Sequence, residues 1–200
     1  MDAQDRAAKS ISRPYTLKRR AEQQAETRRR IVEAAVDLHT SLGPARTSLS
    51  MVAARAGVQR HTLYAHFPEE RDLFLACSEM TLSRAPLPDA APWRSIQDPA
   101  TRLCAGLQAV YDWYGRNANL AACILRDAEY HPLTQEINAL RLGPTMADWR
   151  ATLGAGLTPP QRVILDLALS FFTWRTLVRD SGLSPTVAVE TMAQAIVRAE

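Results

Sequence analysis

Between Ser48 and Phe67 two short helical patterns lie on either side of a single glycine, and few folds can use that arrangement. Ser48 offers an N-cap, and Leu49, Val52, Ala53 and Ala56 then repeat at i, i+3, i+4 and i+7. Gly57 supplies a tight turn, because it reaches positive φ without a Cβ clash. The second pattern covers about Gln59 to His66, with Leu63 and Phe67 facing inward. Pro68 closes it, since the residue before a proline disfavours the α region. Two short helices on a tight turn have the geometry of a helix-turn-helix, whose second helix can enter a DNA major groove while the first braces it. A helical hairpin with a merely polar face fits the same pattern. The outward positions of the second helix are Gln59, Arg60, His61, Thr62, Tyr64 and His66. Such side chains can donate to phosphates or read base edges.

The remainder of the chain keeps the helical period. Ile31, Ala34, Ala35, Leu38 and Leu42 form a stripe that Gly43-Pro44 ends. Glu69, Glu70 and Asp72 suit the start of a fourth helix, which buries Leu73, Phe74, Cys77 and Met80. Residues 83–99 hold four prolines and no period, which predicts a loop and a domain seam. Beyond the seam come three further stripes, through Leu103–Tyr114, Leu120–Ala128 and Leu133–Leu140. Gly143-Pro144 is expected to break or kink the third. A long apolar helix is expected from Thr158-Pro159 to near Gly182, and Ser184-Pro185 opens the last one. No strand alternation occurs, so the fold class is all-α. Two units are expected, residues 1–82 and 83–200.

Charge and bulk are segregated. Nine of the first thirty residues are basic against four acidic, which suggests a polyanion partner. Residues 1–22 show no amphipathic period and read as a mobile basic arm. Of the 13 aromatic Phe, Trp and Tyr residues, nine lie between Trp93 and Trp174. No apolar h-region opens the chain, and Val163–Trp174 is shorter than the roughly 20 apolar residues of a membrane span. A cytoplasmic protein with free thiols and no membrane partner is therefore expected.

The run Thr62-Leu63-Tyr64-Ala65-His66-Phe67, preceded by Ala56-Gly57-Val58 and followed by Leu73, resembles the DNA-binding domain of TetR-family transcriptional regulators. The spacing from Ala34-Ala35 and Leu38 to Gly43 and Thr47 matches too, so the likeness covers about residues 27–75. It implies that Thr47, Thr62, Tyr64 and His66 sit on phosphates and that Arg60 and His61 lie nearest the bases. Ser48 and Gln59 join the expected DNA-binding set. The family commonly has a lysine where this chain has Glu70; either Arg71 beside it, counted in the expected DNA-binding set, substitutes or that contact is lost.

The resemblance also implies a helical regulatory half that dimerises and holds a small molecule. Tyr111, Trp113, Tyr114, Trp149 and Phe172 are the expected effector-binding residues, with Asp112 or Asp127 as polar anchors. Trp174, Leu177, Val178, Met192 and Ile196 are the expected homodimer interface. No cofactor is expected. The four histidines do not pair at metal-ligand spacing, so no metal site is expected. No Ser-His-Asp order, phosphate loop or CxxC is present, which speaks against an enzyme. Cys77, Cys104 and Cys123 read as small core residues, with redox sensing as the sharper alternative. The expected function is a dimeric repressor on a palindromic operator, released by a small hydrophobic or amphipathic effector. An effector-independent DNA-binding or architectural protein is the alternative, and an all-α enzyme or lipid carrier the third.

Overall fold

The computed structural model describes residues 4–199, with side-chain surroundings from Leu17 onward. It is all-α: among the described residues there is no strand. Helix α1 runs Gln4–Ser41 and a short 3₁₀ turn Pro44–Arg46 follows. Then come α2 (Leu49–Ala56), α3 (Arg60–His66) and α4 (Glu70–Arg84). The second half holds α5 (Ala91–Arg94), α6 (Pro99–Arg116), α7 (Ala118–Ala128), α8 (Pro132–Leu153), α9 (Pro159–Ala168), α10 (Phe171–Trp174) and α11 (Pro185–Arg198). Among the described residues no helix is long and apolar enough to cross a membrane.

Two hydrophobic cores form. Ile31, Ala35, Val52, Leu63, Phe67 and Leu73 close the first, where α1 to α4 converge. Leu107, Tyr111, Trp149, Leu165, Trp174 and Ile196 anchor the second, among α6, α8, α9, α10 and α11. Proline-capped starts recur: Asp98 caps α6, Thr158 caps α9 with a full capping box to Gln161, and Ser184 caps α11. Each places a side-chain acceptor over an otherwise unpaired N–H and fixes the entry angle of its helix.

Four expectations are corrected. The non-helical arm is helical from Gln4, because the Ala, Gln, Glu, Lys and Arg of this stretch are strong helix formers. Residues 83–99 are not all loop, since α5 forms and buries Trp93 against Trp149. Helix α8 passes through Gly143-Pro144 unbroken. Leu140, Gly143 and Pro144 are exposed there, so the carbonyl that proline leaves unbonded can meet water. The long helix expected to reach Gly182 instead divides after Ala168, where Ser170 caps α10, and it ends in a π-helical turn, Arg175–Asp180.

The two cores meet across a polar seam. Asp127 of α7 is fully buried and accepts from Ala45 N–H (2.9 Å), Arg126 Nε (2.7 Å) and Tyr130 Oη (2.9 Å). Burial pushes its carboxyl up, but these donors outweigh that and hold it below the ordinary carboxylate value. Arg126 also donates to Leu42 O at 2.9 Å, and Cys123 Sγ lies 3.4 Å from Thr40 O. Gly43 sits at φ 98°, and a Cβ there would collide with Asp127 and Arg126. Only glycine allows both that backbone and that approach.

His39, near the end of α1, is buried beside the seam with its ring 5.0 Å from that of Phe74. Burial pulls its imidazole down to about 4, with Asp127 opposing and His131 adding to the fall. An unfolded histidine titrates near 6.5, so below that pH the unfolded chain binds the extra proton. The stability contributed by neutral His39 is complete above about pH 6.5 and is lost as pH falls toward 4. Chemical denaturation of the wild type and His39→Phe across this range checks it. The wild type should lose stability relative to the variant by on the order of 3 kcal/mol between pH 7 and pH 4. A constant difference would contradict the buried neutral state.

Candidate nucleic-acid interface and ligand cavity

Helix α2 opens on Ser48, whose Oγ accepts Met51 N–H, and closes on Gly57 in the left-handed conformation. Val58 N–H returns to Ala53 O and Gly57 N–H to Ala54 O, the 6→1 and 5→2 pair of a Schellman motif. This turn sets the angle between α2 and α3. Leu63 and Phe67 are 1% exposed and pin α3 inward, which leaves Gln59, Arg60, His61 and Tyr64 outward. Thr62 and His66 are half-buried at the edges of that face. Arg60 Nη2 lies 3.5 Å from Tyr64 Oη, one turn along. Ser48 is exposed at the mouth of α2, while Thr47 is buried and donates its hydroxyl to Gly43 O at 2.8 Å.

Several cations of the basic end are engaged within the fold. Arg28 lies over the Phe67 ring, 4.6 Å from its centre. Arg29 pairs with Glu26 and Glu33 on its own helix. Arg30 donates to the carbonyls of Ala56 and Gly57, which gives the end of α2 a positive partner. Arg71 bonds Glu136 of α8 at 2.8 Å, half-exposed, and so bridges the two halves. Lys18, Arg19 and Arg20 are exposed on α1, whereas the side chains of Arg6, Lys9 and Arg13 lie outside the described residues.

Where the two cores meet there is a cavity of about 460 Å³. Its wall is mostly aliphatic and aromatic and comes from both halves. Val36, His39, Phe74 and Cys77 stand on one side, with Leu120, Ile124, Ile137 and Met146 on the other. Trp113, Tyr114 and Phe172, three of the five expected effector residues, line it. Tyr111 and Trp149 do not, because each is consumed by packing. Tyr111 donates to Ala168 O at 3.1 Å, and Trp149 Nε1 donates to Pro88 O at 2.9 Å. Asp127 belongs to the seam, and Asp112 is an exposed acceptor for Gln108. Sequence reasoning missed the polar wall residues Asn138 and Arg141, which carry no signal without knowing which face of α8 turns inward.

Of the expected interface residues, Trp174, Met192 and Ile196 are 1%, 7% and 0% exposed inside the protomer. Leu177 and Val178 are half-buried. Helix α11 spends its apolar stripe on α6 and α9 of its own chain, and Trp174 of α10 packs against Tyr114 and Phe171, so these three are core residues. Burial pushes the Cys77 thiol up to about 12, which removes thiolate chemistry from that position.

The geometry defines a helix-turn-helix domain carried on an all-helical body. Residues 31–77 match the family model for bacterial regulatory proteins of the tetR family. The HTH-type transcriptional regulator AcrR of Shigella flexneri is 38% identical over 68 residues, covering 34% of this chain. The match spans about a third (32%) of that relative's length. Among solved structures, a transcriptional regulator from Rhodococcus sp. Rha1 is 22% identical with a TM-score of 0.59, covering 86% of this chain and 96% of its own. The regulator FadR from Bacillus subtilis, solved in complex with stearoyl-CoA, is 18% identical with a TM-score of 0.59, covering 84% and 97%. These two establish the shared fold across both halves. Residues 31–77 thus form a DNA-binding domain of the tetR type, the part of the chain that both the family model and AcrR match.

Proposed function

We propose that this chain is a ligand-responsive transcriptional regulator, acting as a dimeric repressor on a palindromic operator. The observation that carries this reading is the position of the cavity. Its wall includes α1 and α4 of the helix-turn-helix unit together with α6, α7 and α8. A ligand placed there touches the elements that set the recognition helix. An architectural DNA-binding protein has no use for such a space, and an enzyme would need reactive groups converging on it. The proposed division between residues 82 and 83 falls within the last turn of α4, which ends at Arg84.

In this reading Gln59, Arg60 and His61 approach base edges, and Ser48, Tyr64 and the α1 cations approach phosphates. Arg71 reaches a phosphate only by releasing Glu136. The partner subunit is met through the outward faces of α9 and α11, which lie side by side. Val163, Leu167 and Val187 are 66%, 53% and 45% exposed there, with the half-buried Leu177 and Val178 nearby. An apolar strip of this kind on a helix pair suits a four-helix seam between two copies.

The direct test is selection of binding sites from a random duplex library, followed by anisotropy titration on the selected site. A palindromic consensus supports the reading, and absence of any enriched sequence contradicts it. On that site Arg60→Ala should cost about 1–3 kcal/mol and relax preference at one base pair per half-site. Tyr64→Ala should weaken selected and unrelated DNA alike. Equal loss on both DNAs for Arg60→Ala would move base reading to another residue.

Leu167→Glu tests the interface, since an exposed residue can be charged without breaking the protomer. The variant should keep its helical circular dichroism, sediment as a monomer and lose at least about tenfold in operator affinity, because one half-site binds weakly alone. A variant that stays dimeric would place the seam elsewhere.

A further inference from the structure

The cavity wall is apolar but not electrically neutral. Three charged residues line it: Arg141, Arg150 and Asp166. Arg150 and Asp166 are paired with each other at the half-exposed rim, so their charges cancel. His39 is buried, and burial keeps its imidazole neutral in the fold at neutral pH. Among the described residues no carboxylate pairs with Arg141, which is left as the cation without a counter-charge. It is half-buried on α8, and its bonds go only to neutral acceptors of α4, Ser78 Oγ at 3.1 Å and Leu75 O at 3.4 Å. One turn earlier on the same face, Asn138 lines the same cavity with its Oδ1 buried and without a hydrogen-bond partner.

A guanidinium held against an apolar wall without an anion is poorly compensated, and so is a buried amide oxygen without a donor. We infer that the effector is an amphipathic monocarboxylate, its apolar body filling the cavity and its carboxylate bonded to Arg141. This rests on the ligand-responsive reading above and narrows it to one chemical class. One uncompensated cation matches one negative charge. A dianionic phosphate head would bring a second charge that the wall does not answer. Asn138 Oδ1 can take a hydroxyl or amide N–H placed near the carboxylate.

The same anchor supplies the coupling. Arg141 ties α8 to α4, the helix that follows the recognition helix. A carboxylate is a stronger acceptor than a hydroxyl or a peptide oxygen, so it draws the guanidinium away from Ser78 and Leu75. The ligand therefore loosens the tie between the body and the reading head as it binds.

The test uses the full chain and three probes that share one tail: sodium decanoate, decan-1-ol and decyltrimethylammonium. Binding is followed by tryptophan fluorescence, and DNA release by anisotropy on the selected site. Decanoate should bind at least about tenfold tighter than either other probe and should release the DNA. Arg141→Gln should bring decanoate down to the affinity of decanol, with decanol unchanged. Arg141→Lys should keep most of the preference, which separates loss of charge from loss of fold. Equal binding of all three probes, or a preference that survives Arg141→Gln, overturns the anion assignment. If decanol or decyltrimethylammonium binds and releases DNA while decanoate has no advantage, that assignment fails and the ligand-responsive reading stands. If none of the three binds or affects DNA, both fail.

Discussion

One buried carboxylate joins the reading head to the body. Asp127 gathers a backbone N–H from the turn after α1, a guanidinium from its own helix and a phenol from the following turn. A fully buried charge is tolerated only when donors surround it, and here the donors come from both sides of the seam. Gly43 makes this possible by leaving no side chain in the way. The end of α1 is therefore docked on α7 at a defined height and angle. Once α1 is placed, Ile31 and Ala35 place α2 and α4, and the Gly57 turn places α3. The orientation of the recognition helix relative to the body thus traces back to a few polar atoms.

The cavity lies against this seam, with His39 and Pro44 in its wall. Two kinds of contact connect the halves there. Asp127 itself is buried and accepts three hydrogen bonds, so it acts as a pivot. The ties of Arg71 to Glu136 and of Arg141 to Ser78 are exposed or half-buried and weakly held. Half-exposed ion pairs are worth little individually and can exchange partners at small cost. In the ligand-responsive reading, a rigid pivot beside exchangeable ties lets α4 tilt without unfolding of the domain. Differential affinity for the two tilts is all that regulation requires.

The helix-turn-helix was legible because its signals are local. Ser48, Gly57 and Pro68 mark boundaries through backbone chemistry, and Leu63 and Phe67 mark the inner face within one turn of each other. The outward set on α3 followed from the same spacing. Trp174, Met192 and Ile196 read as interface residues in the sequence because they are apolar positions on helices in either case. Whether such a stripe faces its own chain or a second copy depends on tertiary packing, and periodicity is blind to it. Tyr111 and Trp149 were assigned to the cavity for a similar reason, since an aromatic that lines a space and one that fills it look alike in sequence. Arg141 and Asn138 went unnoticed because polar residues on a long helix are ordinarily solvated. The fate of Arg28 and Arg30 was equally hidden. Their charge suggested DNA, yet one covers an aromatic ring and the other caps α2.

If the cavity holds the effector, as proposed, cavity and recognition helix share one free energy of coupling. Binding linkage is reciprocal, so a ligand that weakens DNA binding must itself bind more weakly to the DNA-bound protein, by the same factor. The direct measurement is calorimetric titration of decanoate into the free protein and into the protein saturated with its selected duplex. The expected affinity ratio between the two titrations is about 5–150, equal to the loss of DNA affinity measured at saturating decanoate. Identical decanoate affinities with and without DNA would show that the cavity is not coupled to the reading head.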